Sequence, residues 1–129
     1  MNQGLEKAKE LLKRHGFQYV LSDGIAFHST NKEGYSSLLT LYNSGIDLRD
    51  FSLAARQIGL ADAYLAVALG IKSVHAEVIS SGALSVLSKA KAEVKYDELK
   101  EAVDGALEDV LKEGLYPGQA LLIIKNAGK

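Results

Sequence analysis

The chain has no cysteine. Disulfides, thiolate zinc sites, iron–sulfur ligation and a cysteine nucleophile are excluded with it. Proline occurs once, and 47% of the residues are hydrophobic, which argues against disorder. Long apolar runs are missing: the longest, residues 63–71, falls far short of the ~20 residues a bilayer requires. The stretch 1–13 is charged throughout and has no signal-peptide core. Neither sign of charge dominates. Fifteen Lys and Arg face sixteen Asp and Glu, a net charge of -1, so no global basic field exists to hold nucleic acid. What remains is a soluble domain, expected in the cytoplasm, with no membrane or nucleic-acid partner. Its 129 residues suffice for one domain that buries roughly two thirds of its unfolded surface without a staple. No linker, internal repeat or low-complexity tract divides it.

Helical spacing of Leu5, Ala8, Leu11 and Leu12 predicts a helix over 4–15, ended by Gly16. Two strand-like runs, 17–21 and 25–29, flank Ser22, Asp23 and Gly24, and Asp-Gly between such runs predicts a hairpin with a type I′ turn. Leu38, Leu39, Leu41 and Tyr42 mark a short helix closed by Gly45. Ser52 can cap an alanine-rich helix over 53–69, apolar almost all round and therefore buried. Alternation of Val74, Ala76 and Val78 predicts a strand over 72–78. Ser80 or Ser81 caps a further short helix to about residue 88. A short strand over 93–96, a helix over 97–113 capped by Asp97, a turn over 114–118 and a strand over 120–125 complete the reading. The fold class expected is α/β: a mixed five-stranded sheet, an antiparallel hairpin followed by parallel strands, with helices on both faces.

Three features invite a chemical reading. His75-Ala76-Glu77 matches half of the zinc nucleobase-deaminase signature, whose other half is Pro-Cys-x-x-Cys. With no cysteine and only His15 and His28 besides, zinc has no ligand set, and the histidine reads as a strand residue beside a strand glutamate. No metal and no cofactor is expected, and no residue is assigned a catalytic role. Arg56, Gln57 and Asp62 are polar groups in the otherwise apolar helix over 53–69, and Gly59 between them allows a close approach. They form either one wall of a pocket or a structural ion pair. Ser80, Ser81 and Gly82 lie at a strand-to-helix turn, where free N–H groups and the helix dipole favour an anion, or simply where a serine caps a helix. There is no phosphate-binding P-loop, no dinucleotide fingerprint and no nucleophile elbow.

From Leu48 to Val103 the chain resembles a family of uncharacterised proteins with the cytidine-deaminase-like fold, the domain of unknown function 1893 family. The resemblance rests on the alanine-rich stretch with Gly59, on the run Gly70 to Ser80, on Ala83, Leu84 and Leu87, and on the run Val94 to Leu99. It implies a deaminase-like three-layer architecture without the metal site, with His75 outside the position a deaminase would use. It departs from the family pattern at Ala55-Arg56, at Leu60 and at Tyr116 to Gln119, where relatives carry other polar groups. The resemblance implies no reaction. The leading expectation is a non-enzymatic module that binds a small anionic or nucleotide-like ligand through Arg56, Gln57, Gly59, Asp62, Ser80 and Ser81. The alternatives are a zinc-independent enzyme on a nucleotide-like substrate and a purely structural interaction protein. A homo-oligomer, by default a dimer, is expected, with apolar surface of the alanine-rich helix as its support.

Overall fold

The computed structural model describes residues 3–32, 34–103, 107–108, 110–111 and 117–127. The first helix, α1 (Gln3–His15), buries Leu5, Ala8, Leu11 and Leu12 as its spacing predicts. Gly16, at φ +68°, ends it by donating its N–H to the Leu12 carbonyl at 3.1 Å. The hairpin follows as β1 (Tyr19–Ser22) and β2 (Phe27–Thr30), paired antiparallel. Its connection spans residues 23–26 and is longer than a type I′ turn. Asp23 Oδ1 accepts from the N–H groups of both Ile25 and Ala26, and this side-chain turn competes successfully with the tight hairpin. Gly24 supplies the positive φ, +103°, that the loop requires. The short helix α2 (Ser36–Ser44) ends at Gly45 with φ 76°.

The single helix expected over 53–69 is two elements. Residues Ser52–Ile58 form a strand, β3, and only Leu60–Ala68 form a helix, α3. Ser52 therefore opens a strand instead of capping a helix. Leu53, Ala54, Ala55, Arg56 and Gln57 are compatible with helix individually, but β3 occupies the middle of the sheet. It pairs antiparallel with β1 and parallel with β4 (Ser73–Ser80). Alternate side chains enter two different cores: Leu53 and Ala55 on one face, Ala54 on the other. Tertiary pairing overrides local propensity here. Gly59 is the boundary between the two. Ile58 and Leu65 are both buried, as a core reading of this stretch requires.

Ser80 caps α4 (Ser81–Lys89), its hydroxyl accepting from the Ala83 N–H at 3.2 Å. The next strand, β5 (Glu93–Lys100), pairs parallel with β4 and runs through Asp97, which lies inside the strand and caps no helix. Of the helix expected to 113, residues 104–106, 109, 112 and 113 lie outside the described residues. Between them, Leu111 N–H bonds back to the Leu107 carbonyl at 2.8 Å, a single turn. Most of the expected turn at 114–118 also lies outside, but Pro117 opens a helix, α5 (Pro117–Ala127), where a strand over 120–125 was expected. Ala120 and Ile124, one helical turn apart, are both fully buried.

The sheet is five-stranded and mixed, in the order β2-β1-β3-β4-β5, with β3 in place of the expected last strand. Helix α1 covers one face through Ala8, Leu11 and Leu12 against Val20 and Ala54. Helices α2 to α5 share the main core on the other face with Leu21, Leu53, Val74 and Ala76. Every residue of α3 from Leu60 to Ala66 is buried within the chain, and Val67 and Ala68 are half-buried.

Candidate functional site

Strands β3 and β4 run parallel and end side by side, Ile58 opposite Ile79. Each passes directly into a helix, so the N-termini of α3 and α4 meet at one corner. Gly82 makes the contact possible: a Cβ there would lie 3.0 Å from Leu60 Cδ2. Two helix starts bring unpaired N–H groups and two dipoles together, which favours negative charge. The chain supplies that charge itself. Glu108 Oε1 accepts from the Leu60 N–H at 2.9 Å and from the Ser80 hydroxyl, and Oε2 accepts from the Val103 N–H at 2.7 Å. The anion position read at the serine turn is thus held by an internal carboxylate. Ser80 is fully buried beneath it, while Ser81 is exposed and donates to the Glu101 carbonyl at 3.4 Å. Glu108→Gln should lose one of the three acceptor contacts and cost about 1–2 kcal/mol of stability, measured by urea unfolding.

The open space lies one step back along β3. Strand β1 pairs with β3 only as far as Tyr19 opposite Ala55, and one more bond, Arg56 N–H to the Gln18 carbonyl, ends the contact. Beyond that point Gln57 and Ile58 have no β1 residue beside them. A cavity of about 470 Å³ occupies the gap, within the range of small-molecule sites. Buried Tyr19, Leu38, Leu53, Ala55, Ile58 and Asp62 line it, together with half-buried Arg56 and Glu77 and exposed Lys32 and Gln57. It adjoins the carboxyl ends of two parallel strands, where open α/β sheets take their ligands.

Five side chains, Glu77 among them, give this cavity its electrostatics. Arg56 Nε donates to the Phe17 carbonyl at 2.9 Å, and its guanidinium stands 3.6 Å from Glu77. That fixes one positive charge against the sheet. Lys32, on the loop after β2, brings a second. Asp62 sits three residues into α3 and accepts from the Gly59 N–H at 2.9 Å, half of a capping box. Burial pushes its carboxyl up to about 7, against the pull of that N–H and with a further push from the Glu108 charge. Burial likewise pushes the Tyr19 hydroxyl up to about 12, partly offset by a hydrogen bond with Ser37. A carboxyl that changes charge near neutrality in a cavity bordered by Lys32 and Arg56 can bind an anion in one protonation state and move a proton in the other.

Of the six residues read as a site, Arg56, Gln57 and Asp62 line the cavity and Gly59 holds Asp62. Ser80 and Ser81 do not line it. Arg56 and Gln57 reach the cavity from a strand, on adjacent positions that point to opposite faces. Tyr19, Lys32 and Glu108 were not singled out in the sequence. His75 lies elsewhere, on the α1 side of β4. Its Nε2 is 4.0 Å from Asp97 Oδ2, and its Nδ1 is buried without a hydrogen-bond partner. Burial lowers its pKa, helped by the charges of Lys9 and Lys13 and opposed by Asp97 and Glu77. Among the described residues no three His, Asp or Glu side chains gather as a metal site would require. Among them, too, no helix is long and apolar enough to cross a membrane.

Comparison with known proteins returns a family of unassigned role. The family described as TM1506, domain of unknown function (DUF1893), matches residues 7–101. The 2.70 Å crystal structure of a DUF1893 family protein from Thermotoga maritima (TM1506) superposes with a TM-score of 0.84. The two share 18% identity, over 98% of this chain and 91% of the other, a likeness of fold. No curated protein matches the chain.

Proposed function

The chain belongs to the DUF1893 family, and from that premise we propose that it is a small-molecule-binding module whose ligand is anionic or nucleotide-like and sits in the cavity beside β3. The observation that carries this reading is the grouping of Lys32 and Arg56 with the buried Asp62 around one opening of ligand size. Lys32 and Arg56 receive the anionic group, and Gln57, Tyr19 and Asp62 offer hydrogen bonds to the remainder. The reading takes the architecture as a cytidine-deaminase-like sandwich without its metal, in a cytoplasmic protein. What supports that is the mixed sheet with α3 and α4 starting together at the ends of adjacent parallel strands. It moves the ligand away from the serine turn, because Glu108 already neutralises that corner.

A second reading is favoured by one observation, the Asp62 carboxyl pushed up to about 7. A group poised there can act as a general base or acid, which makes the module a metal-independent enzyme on the same ligand class. A purely structural role would leave the cavity without a ligand.

A thermal-shift screen with nucleotides, nucleosides and phosphosugars separates these, because a ligand that prefers the folded state raises the melting temperature. For a compound found in this way, Lys32→Ala and Arg56→Ala should each weaken binding about tenfold by calorimetry, the loss of one charge-assisted contact. Ser80→Ala should leave the affinity unchanged. Turnover of the bound compound that vanishes in Asp62→Asn would favour the enzyme. Affinity untouched by both cation variants would overturn the placement.

A further inference from the structure

Strand β5 is the last in the sheet order, and among the described residues no strand lies beyond it. It is eight residues long. Seven of the eight are exposed, Tyr96 at 41% and Leu99 at 46% among them. A long edge strand is a ready template for another strand unless something blocks it. The direction of its free groups follows from its pairing. Glu93 N–H bonds to the Lys72 carbonyl at 2.8 Å, with Glu93 opposite Ser73. In a parallel ladder the residues of one parity then bond inward to β4, and those of the other parity turn N–H and C=O outward. Val94, Tyr96, Glu98 and Lys100 are therefore the outward set.

We propose that β5 pairs antiparallel with β5 of a second copy, with Tyr96 opposite Tyr96 on the two-fold axis and Lys95 opposite Asp97 of the second copy. A two-fold axis perpendicular to the sheet keeps each face on its own side, so only residues of equal parity stand opposite one another. The outward set meets this condition: Val94 bonds with Glu98 of the second copy, and Tyr96 with its own equivalent. Lys95 and Asp97 then occupy the close, non-hydrogen-bonded positions of the ladder, where side chains approach most nearly. Symmetry forms that ion pair twice.

Charge and length together select this register: an axis at residue 94 would also oppose Glu93 and Lys95, but β5 begins at Glu93, so only residues 93–95 would pair. Moving the axis to residue 95 sets Lys95 against Lys95 and Glu93 against Asp97. Moving it to residue 97 sets Asp97 against Asp97, and moving it to residue 98 sets Glu98 against Glu98. Like charges directly opposite are destabilising. The axis at Tyr96 avoids all of these and places the exposed aromatic ring against its twin. The result is one continuous sheet through both copies. No residue of β5 lines the Lys32 and Arg56 cavity, and the proposal does not depend on the ligand reading.

Sedimentation velocity at micromolar concentration should give a species of about twice the 13.9 kDa chain mass. Lys95→Asp and Asp97→Lys should each weaken the dimer tenfold or more, since each turns two attractive contacts into like-charge contacts. The double variant, with both charges exchanged, should recover it, and circular dichroism of each variant should match the parent. A monomer at all micromolar concentrations, or a dimer indifferent to both single changes, would overturn the proposal. So would a double variant as weak as the singles.

Discussion

Leu65→Ala is expected to lower the unfolding free energy by about 2–5 kcal/mol. Leu65 is fully buried at the centre of α3, a helix in contact with α2, α4 and α5 on the covered face of the sheet. Few side chains nearby can collapse into the space, because Ala61, Ala63 and Ala66 around it are already small and buried. The cost of a cavity depends on how far the surroundings relax, and small neighbours have little side chain to move. Urea unfolding at fixed pH measures the change as a shift in midpoint at constant slope. Ile58→Val, at the end of β3, should cost about 0.5–1.5 kcal/mol by the same measurement. A loss below that range for Leu65 would place the core elsewhere.

Asp62→Asn is expected to stabilise the protein at neutral pH and to leave it nearly unchanged in acid. The native carboxyl holds its proton until about pH 7, whereas an exposed carboxyl releases it near 3.8. Between those values the unfolded chain gains by ionising and the native chain does not, so stability falls as pH rises through this window. Above it both states are ionised and the full cost remains. Asparagine keeps an oxygen for the Gly59 N–H but never ionises. The difference between variant and parent should therefore open between pH 4 and 7 and level off at roughly 2–4 kcal/mol. His75 acts in the other direction. Its lowered pKa makes the native state lose stability as pH falls through the ordinary histidine value, near 6.5. Parent and variant must therefore be compared at each pH. No opening gap would mean that Asp62 is ionised throughout.

The elements legible in the sequence were those whose local signals agreed with their surroundings. Helix α1 shows both its apolar stripe and its closing glycine, and β4 its alternation. Strand β3 was hidden because it has neither. Buried on both faces, it loses the polar alternation of a half-exposed strand, and its alanines read as helix. Gly59 was the available sign of the break. Strand β5 was legible only in its first half, the expected strand over 93–96: the second half, exposed throughout, shows little periodicity, and Asp97 mimics a helix cap. For α5 the β-branched pair Ile123 and Ile124 outweighed the helical spacing of Ala120 and Ile124. The site divides similarly. Arg56, Gln57 and Asp62 stood out as polar groups in an apolar stretch. Lys32 reaches the cavity and Glu108 reaches the α3 start only through the fold, Glu108 meeting Leu60 across 48 positions.

The Glu108 carboxylate also fixes how the protein behaves toward dissolved anions. A group tethered to the same chain presents itself at an effective concentration that is millimolar for a short flexible tether. Phosphate or sulfate arriving at the α3 and α4 starts must compete with that local excess while also stranding the displaced carboxylate. The corner with the strongest backbone field is therefore buffered against common ions. Under the proposed reading, selectivity among solutes then falls to Lys32 and to Arg56, whose guanidinium a ligand must share with Glu77.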